Sequence, residues 1–191
     1  MGRKAQAIAE NKRAMEIDPL SLPINNFMAM TYMFAGDNEN AYRQFRHTIA
    51  LDPSFPLAHE YFSRLLLTMG RYEESIKEYE KSAVLSGSSP EAAAADATVM
   101  ERAFKNGGEK GFWQKELELE LEYSKQPGAH PSPTYLASAY ARAGQTDQAF
   151  GWLEKAYEER EGETLTLLNY EPDYKNLRSD PRFSAMLGKI G

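Results

Sequence analysis

The residue types that most often carry chemistry are present in this sequence without forming a catalytic or metal-binding motif. The three histidines, His47, His59 and His130, lie far apart, whereas zinc sites and histidine-based catalytic motifs usually place two such residues close together. We interpret them as surface histidines. The phosphate-binding patterns GxxxxGKS/T and GxGxxG do not occur, and no cysteine is present to act as a nucleophile or a metal ligand. The sequence therefore predicts a protein that is not an enzyme and that needs no metal or cofactor.

Two sets of acidic residues could also suggest chemistry, but their spacing favours structural roles. Glutamates alternate with leucines in residues 115–123, KELELELEY. Alternation is typical of a strand, but Glu, Leu and Lys are strong helix formers and no second strand is available for pairing, so we predict a helix. On a helix these carboxylates point around the axis and cannot converge on one cation. Asp18, Asp52 and Asp180 each precede a proline, a pairing that is typical of helix ends and turns.

The overall charge and hydropathy argue against some classes of partner. The formal net charge is -6, and no run of Lys or Arg exceeds two residues. Because nucleic-acid binding depends on neutralising phosphates, this balance argues against a direct nucleic-acid partner. No stretch approaches the roughly 18 consecutive apolar residues of a membrane-spanning helix, and the first turns lack the apolar segment of a secretory signal. We therefore predict a cytoplasmic protein with no membrane-spanning segment.

The chain is organised by a fixed interval, which we call the repeat interval and define as the distance along the sequence from Pro19 to Pro53. Each of these prolines follows an aliphatic residue and an aspartate. The same interval separates Gly36 from Gly70. Between these markers apolar residues recur at helical spacing, with a glycine near the middle of each unit and a proline at its end. The stretch from Leu22 to Pro53 therefore predicts two short amphipathic helices joined at Gly36.

A helix pair that repeats about every 34 residues is typical of tetratricopeptide repeats. The repeat interval has this length, and residues 5–88 and 130–161 resemble that family. In this family, small and large residues alternate at the point where the two helices of a pair cross. Two repeats of this sequence show that order. The residues are Met28, Ala29, Tyr32, Ala41 and Phe45 in one repeat, and Leu136, Ala137, Tyr140, Ala149 and Leu153 in the other. From these positions we expect Tyr140 to be buried between its two helices, against Ala149 and Leu153.

The resemblance implies an all-α, right-handed solenoid of helix pairs that forms one domain over residues 1–191. We place a half repeat at 1–19, repeats at about 20–53, 54–88 and 129–161, an atypical pair at 89–128, and a C-terminal capping helix within 162–191. The atypical pair contains an alanine-rich helix from Pro90 to about Phe104, which we expect to be broken at Gly107 and Gly108. Because the half repeat lacks its first helix, we expect the chain to be part of a longer protein. The alternative is that the half repeat is a natural edge of the array.

The resemblance also implies a binding function, because the first helices of successive pairs in this family line a concave groove that holds a peptide or a partner protein. The residues expected to line that groove are Asn26, Met30, Met33 and Phe34, then Glu60, Arg64 and Leu67, then Ala94, Thr98 and Glu101, and finally Thr134, Ser138 and Ala141. The lysine and asparagine set with which some relatives clamp a C-terminal carboxylate is not matched, so we do not expect chaperone tails as partners. Met30, Met33 and Phe34 form an apolar patch, and we expect it to contact a peptide, a second copy of the chain or upstream sequence.

The C-terminal part resembles the ends of the repeat arrays of some bacterial regulators, in the residues AFGWLEKAYEERE and EPDYKNLRSDPRF. In those proteins the array follows a winged-helix, protein kinase or nucleotide cyclase domain. The resemblance therefore implies a regulatory module of a bacterial signalling or transcription-regulating protein. The alternative is an enzyme or a nucleic-acid-binding domain whose site the sequence motifs do not reveal.

Overall fold

The computed structural model describes residues 2–161 and 165–190, and no strand occurs among them. The helices are α1 (Gly2–Ile17), α2 (Leu22–Ala35), α3 (Asn38–Leu51), α4 (Pro56–Thr68), α5 (Tyr72–Leu85), α6 (Pro90–Tyr123), α7 (Pro133–Arg142), α8 (Thr146–Glu158) and α9 (Pro181–Ile190), with a short 3-10 helix at Pro172–Tyr174. No helix in the described ranges is long and apolar enough to cross a membrane.

The chain folds as two compact units, residues 1–101 and residues 102–191. In the first unit, α2 packs against α3 and α4 packs against α5. These two pairs stack, since α3 and α2 both contact α4, and α1 packs against α2. In the second unit α7 packs against α8, the 3-10 helix contacts α7, and α9 contacts α8. The predicted all-α arrangement of consecutive helix pairs is therefore confirmed.

The core of the first unit lies where the helices of each pair cross. Ala29 of α2 and Ala41 of α3 are fully buried, and their small side chains let the two helices approach closely. Phe45 fills the space beside them, and its ring centroid lies 6.1 Å from that of Phe62 on α4. Gly36 ends α2 with a φ of 84°, a left-handed conformation that residues with a Cβ rarely adopt. The small and aromatic residues predicted to meet at the crossing of α2 and α3 thus hold this pair together.

Helix α6 contains both the predicted helix over residues 115–123 and the predicted break before it. Gly108 has a φ of 58° and a ψ of -150°, which lie outside the helical region, so α6 bends there. Beyond the bend, Gly111 lies against the backbone of Ala103, and a Cβ built on Gly111 would be 2.6 Å from the Ala103 carbonyl oxygen. A side chain at position 111 therefore cannot be accommodated unless the backbone moves.

The core of the second unit is shared by α7, α8 and α9. Leu153 of α8 is fully buried, and Phe183 and Met186 of α9 pack into the same cluster. Helix α9 thus covers the last helix pair, as predicted for a capping helix, while residues 162–164 and 191 of the predicted cap lie outside the described residues. Tyr140 packs against this cluster but is only half-buried, which corrects the prediction that it is enclosed between its two helices.

Candidate partner-binding face

The apolar residues of α2 that were predicted to line the groove differ in exposure: one is buried and two are half-buried. Met33 lies in the core of the first unit with 3% of its surface exposed, so its side chain is not accessible to a partner. Met30 and Phe34 are half-buried, because each packs against that core on one side only. Their remaining surface is apolar and accessible, so these two side chains carry the contact surface predicted for α2.

Phe27 extends this surface, although the sequence prediction omits it. Its side chain is 59% exposed. It precedes Met30 by three residues and Phe34 by seven, a spacing that places all three on one side of α2. We call Phe27, Met30 and Phe34 the α2 stripe. The helical spacing could have identified Phe27 in the sequence, but its exposure depends on packing.

Asn26 lies beside the α2 stripe and has an unsatisfied amide oxygen. Only 4% of its surface is exposed, and its Nδ2 donates a weak bond of 3.7 Å to the sulfur of Met30. Its Oδ1 is buried and has no hydrogen-bond partner among the described residues. Leaving such an acceptor unpaired costs about 1–3 kcal/mol. Asn26 therefore lies on the buried side of the stripe and does not form part of its accessible surface. A hydrogen-bond donor that reached its Oδ1 would stabilise this part of the unit.

On α4 the predicted residues Glu60, Arg64 and Leu67 are all half-buried. The guanidinium carbon of Arg64 lies 5.5 Å from the ring centroid of Tyr61, a cation–π arrangement that holds the arginine along the helix. Because α2 contacts α4, these side chains belong to the same unit as the α2 stripe and follow it in the stack. We call the combined surface the α2–α4 face, and its residues are Phe27, Met30, Phe34, Glu60, Arg64 and Leu67.

The predicted residues of α6 are exposed. Thr98 and Glu101 both lie on the surface of the helix, as does Ala94. The Thr98 hydroxyl donates to the Ala94 carbonyl oxygen at 2.8 Å, so it is already satisfied within its own helix. This part of α6 offers small and polar atoms rather than an apolar surface.

In the second unit, the predicted residue Ser138 belongs to a buried polar network centred on Arg142. The Nε and Nη2 atoms of Arg142 donate to the Glu116 carboxylate at 3.0 and 2.8 Å, and Nη1 donates to Asp173 and to the Ser138 hydroxyl. The guanidinium also lies 5.1 Å from the ring centroid of Trp113. Burial opposes the charge, but Asp173 and Glu116 outweigh it and raise the pKa of Arg142. This ion network ties α6, α7 and the 3-10 helix together, so Ser138 has a structural role.

The remaining predicted residues of α7, Thr134 and Ala141, are also buried. The backbone N–H and the hydroxyl of Thr134 donate to the Glu161 carboxylate at 3.1 and 2.8 Å. The Tyr174 hydroxyl donates to the Thr134 carbonyl oxygen at 2.9 Å, and Asn176 donates to that of Ala141 at 2.5 Å. These positions of α7 thus hold the second unit together, and the accessible apolar candidate face lies in the first unit.

The described part of the chain contains no group of three or more His, Asp or Glu side chains that could hold a metal ion. His47 and His130 are exposed, as predicted. His59 is buried and hydrogen-bonded between α4 and α5, which corrects its interpretation as a surface histidine. One repeat interval earlier, Asn25 is fully buried at the equivalent position of α2, so the burial of His59 follows from the repeat.

One match to a known protein family accompanies the stacked helix pairs. Residues 62–85, which cover the second half of α4 and all of α5, match the sequence model of the family described as Tetratricopeptide repeat. The resemblance predicted from the repeat interval and the fold class that it implies are therefore confirmed. Tetratricopeptide repeats are protein-interaction scaffolds, which bind proteins or peptides with the surfaces of their stacked helices.

Among solved structures, the chain is similar to that of YrrB, described as a TPR protein with an unusual peptide-binding site. The TM-score is 0.42 and the sequence identity is 16%, over 94% of this chain and 90% of that chain. No curated protein matches the sequence.

Proposed function

We propose that this protein is an interaction scaffold that binds a peptide or a partner protein on the α2–α4 face. The observation that carries the proposal is the α2 stripe, in which Phe27 is 59% exposed and Met30 and Phe34 are half-buried. Aromatic and methionine side chains that are held on one side and open on the other are well suited to anchor a partner, because they bury large apolar areas and methionine adapts to the shape of its partner.

The charged residues of α4 support the choice of a peptide or protein as the occupant. Glu60 and Arg64 are four residues apart on one helix, so their opposite charges lie on the same side of α4. Charges at the rim of an interface orient a partner and reject wrong ones, while the apolar anchors supply most of the affinity. The matching partner is a segment with apolar side chains for the stripe and a complementary pair of charges.

The packing of α2 further supports this function. Its inner side is held by Ala29 and Met33, which share a buried core cluster with Phe45 of α3 and with residues of α4. A face that is ordered before binding loses little conformational entropy when the partner arrives. The α2 stripe is therefore preorganised on a helix rather than placed on a loop.

At the level of biology, we propose a cytoplasmic regulatory module of a bacterial signalling or transcription-regulating protein. The support is the resemblance of residues 149–161 and of the segment beginning at Glu171 to the ends of such repeat arrays. In this arrangement a partner binds to the α2–α4 face, and this binding regulates the activity of the larger protein.

The test begins with a peptide-display selection on the full chain, followed by fluorescence titration of the selected peptide. Met30→Glu and Leu67→Glu each place a charge on the face and should weaken binding at least about tenfold, the effect of losing one hot-spot residue. The matched control is Leu167→Glu, which places the same charge on an apolar residue that is 40% exposed in the second unit. It should leave the affinity unchanged, and far-UV circular dichroism should verify that all three variants are folded.

Two outcomes would count against the proposal. One is a selected peptide that binds Met30→Glu and Leu67→Glu as tightly as the wild type. The other is an equal loss in Leu167→Glu, which would show that the charge acts without regard to position. Sedimentation of the wild type and Met30→Glu over a range of concentrations separates a peptide partner from a second copy, since self-association through the face would be concentration-dependent and weaker in the variant.

A further inference from the structure

His59 lies in a buried polar contact between the two helices of one repeat. Its side chain is 4% exposed, and its Nδ1 is 2.6 Å from Oε2 of Glu78 on α5. Its Nε2 is 3.0 Å from the carbonyl oxygen of Pro53, in the connection that precedes α4. Lys81 donates to the other carboxylate oxygen of Glu78 at 2.8 Å. The imidazole thus links α4 to α5 and to the connection that precedes α4.

The partners of the two ring nitrogens determine the protonation state of this imidazole. Backbone carbonyl oxygens and ionised carboxylate oxygens accept hydrogen bonds but cannot donate them. Both ring nitrogens of His59 therefore face acceptors, and both can be satisfied only if each carries a proton. A neutral imidazole carries one proton, so it would leave one nitrogen lone pair directed at an oxygen in a buried site. The geometry fits the imidazolium form of His59 paired with ionised Glu78.

The preceding repeat contains the same contact made from uncharged groups. Asn25 lies one repeat interval before His59, and Gln44 lies one repeat interval before Glu78. The Nε2 of Gln44 donates to Oδ1 of Asn25 at 2.7 Å, and Nδ2 of Asn25 donates to the carbonyl oxygen of Pro19 at 2.9 Å. Pro19 is in turn the equivalent of Pro53. Matching residues therefore link each first helix to its second helix and to the preceding proline, with amides in one repeat and ionisable groups in the next.

We propose that the His59–Glu78 contact is a pH-sensitive clamp between α4 and α5, which holds while His59 carries both ring protons and weakens when it loses one. The Asn25–Gln44 contact is the pH-insensitive version of the same clamp. Because α4 also carries Glu60, Arg64 and Leu67, the clamp acts on the helix that presents half of the α2–α4 face.

The charged groups around His59 define the pH range of the clamp. From α5, Glu78 and Lys81 act on the ring, and from the α3–α4 connection it meets the Pro53 carbonyl, while the neighbouring Asp52 accepts bonds from Ser54. The hydrogen bond to Glu78 raises the pKa of His59 above its ordinary 6.5, with help from the Pro53 carbonyl and against burial and Lys81.

Glu78 sets the acid limit of the same range. Burial opposes ionisation of Glu78, but the hydrogen bonds from His59 and Lys81 outweigh it and lower its pKa below 4.5. A raised histidine pKa gives stability that is complete below pH 6.5 and is lost as the pH rises through the folded-state value. A lowered glutamate pKa gives stability that is complete above pH 4.5 and is lost on acidification. The clamp is therefore fully engaged between these two values and opens on the alkaline side.

The direct test is a ring-nitrogen NMR titration of the full chain labelled with 15N-histidine. The resonances of His59 are assigned by their loss in His59→Asn. We expect both ring nitrogens of His59 to remain protonated at pH 6.5, with a titration midpoint above that value. A neutral His59 at that pH, or a midpoint at or below it, would overturn the proposal without any need for a variant.

The coupling to folding is tested with a variant that copies the preceding repeat. His59→Asn/Glu78→Gln installs the Asn25–Gln44 pair at the second clamp. As the pH rises from about 6 to about 9, the melting temperature should fall by about 3–12 °C more for the wild type than for this variant, since about one hydrogen bond to a charged group is lost. Equal pH dependence in the two proteins would overturn the proposal. The single variant Glu78→Gln should lower the His59 midpoint, and an unchanged midpoint would contradict the pairing.

Discussion

Replacement of Arg142 by methionine tests how the second unit is held together. Methionine retains most of the volume of the side chain but removes its charge and its hydrogen bonds. The side chain of Arg142 is only 11% exposed, and those of its acidic partners, Glu116 and Asp173, are 26% and 18% exposed. The variant therefore leaves two carboxylates close together in a poorly solvated place, each without its cation.

The expected cost follows from this arrangement. Removing one partner of a buried ion pair destabilises a protein by about 3–5 kcal/mol, because an uncompensated buried charge remains. Urea unfolding followed by tryptophan fluorescence measures the loss in the second unit, since the only two tryptophans of the sequence, Trp113 and Trp152, lie there. We expect Arg142→Met to lower the free energy of unfolding by this amount at neutral pH.

Arg182 provides a matched control in the same unit. It also pairs with two carboxylates, Asp147 and Asp180, at 2.8 Å each, and it also lies over an aromatic ring, that of Phe150, at 4.3 Å. Its side chain is 48% exposed, however, so solvent screens the lost interactions. Arg182→Met should therefore have little effect on the unfolding curve. Equal effects of the two substitutions, or a loss below about 1 kcal/mol for Arg142→Met, would refute the view that the buried network stabilises the unit.

Two further predictions concern packing in the two units. Phe45→Ala, which empties a fully buried position in the first unit, should cost about 3–5 kcal/mol by chemical unfolding followed by circular dichroism, and a loss below about 1 kcal/mol would contradict the assigned core. Gly111→Ala should destabilise the second unit in the tryptophan fluorescence assay, because the new Cβ meets the Ala103 carbonyl oxygen. Gly107→Ala is the control and should be tolerated, since there is open space around its Cβ. Equal tolerance of both substitutions would contradict the geometry of the bend.

The helix pairs could be predicted from the sequence because small, aromatic and glycine residues follow one another in an order that fits helix crossings and helix ends. Ala29, Ala41 and Phe45 meet at one crossing, and Gly36 ends the helix beside it. Each of these roles depends on residue size or backbone conformation, which can be inferred from residue type alone. The break at Gly108 and the helix over residues 115–123 could be predicted on the same grounds, from glycine and from helix propensity.

The exposure of individual groove residues could not be predicted, because it depends on neighbouring helices. Met33 and Leu67 occupy equivalent positions, yet Met33 is buried and Leu67 is half-buried. Met33 shares its cluster with Leu65 and Leu66 of α4, the first helix of the following pair. The packing of the next helix pair, and not the type of the residue itself, decides whether such a residue is covered.

His59 illustrates the opposite case, in which the interval could have predicted burial. Its type and polar neighbours favour a surface position, but its equivalent one repeat interval earlier is Asn25, in the repeat that follows Pro19. A histidine and a glutamate that replace an asparagine and a glutamine at equivalent positions indicate a contact kept across repeats. That pattern emerges only when side-chain pairs, rather than single residues, are compared between repeats.

The central claim is that the α2–α4 face is the interaction surface, and methyl NMR of the methionine-labelled full chain tests it most directly. Met30 lies on the face, whereas Met186 is 1% exposed in the core of the second unit and serves as the internal reference. On titration with a peptide selected by display, we expect a large shift of the Met30 methyl resonance and no shift of that of Met186. A bound peptide that leaves the Met30 resonance unmoved would contradict the claim.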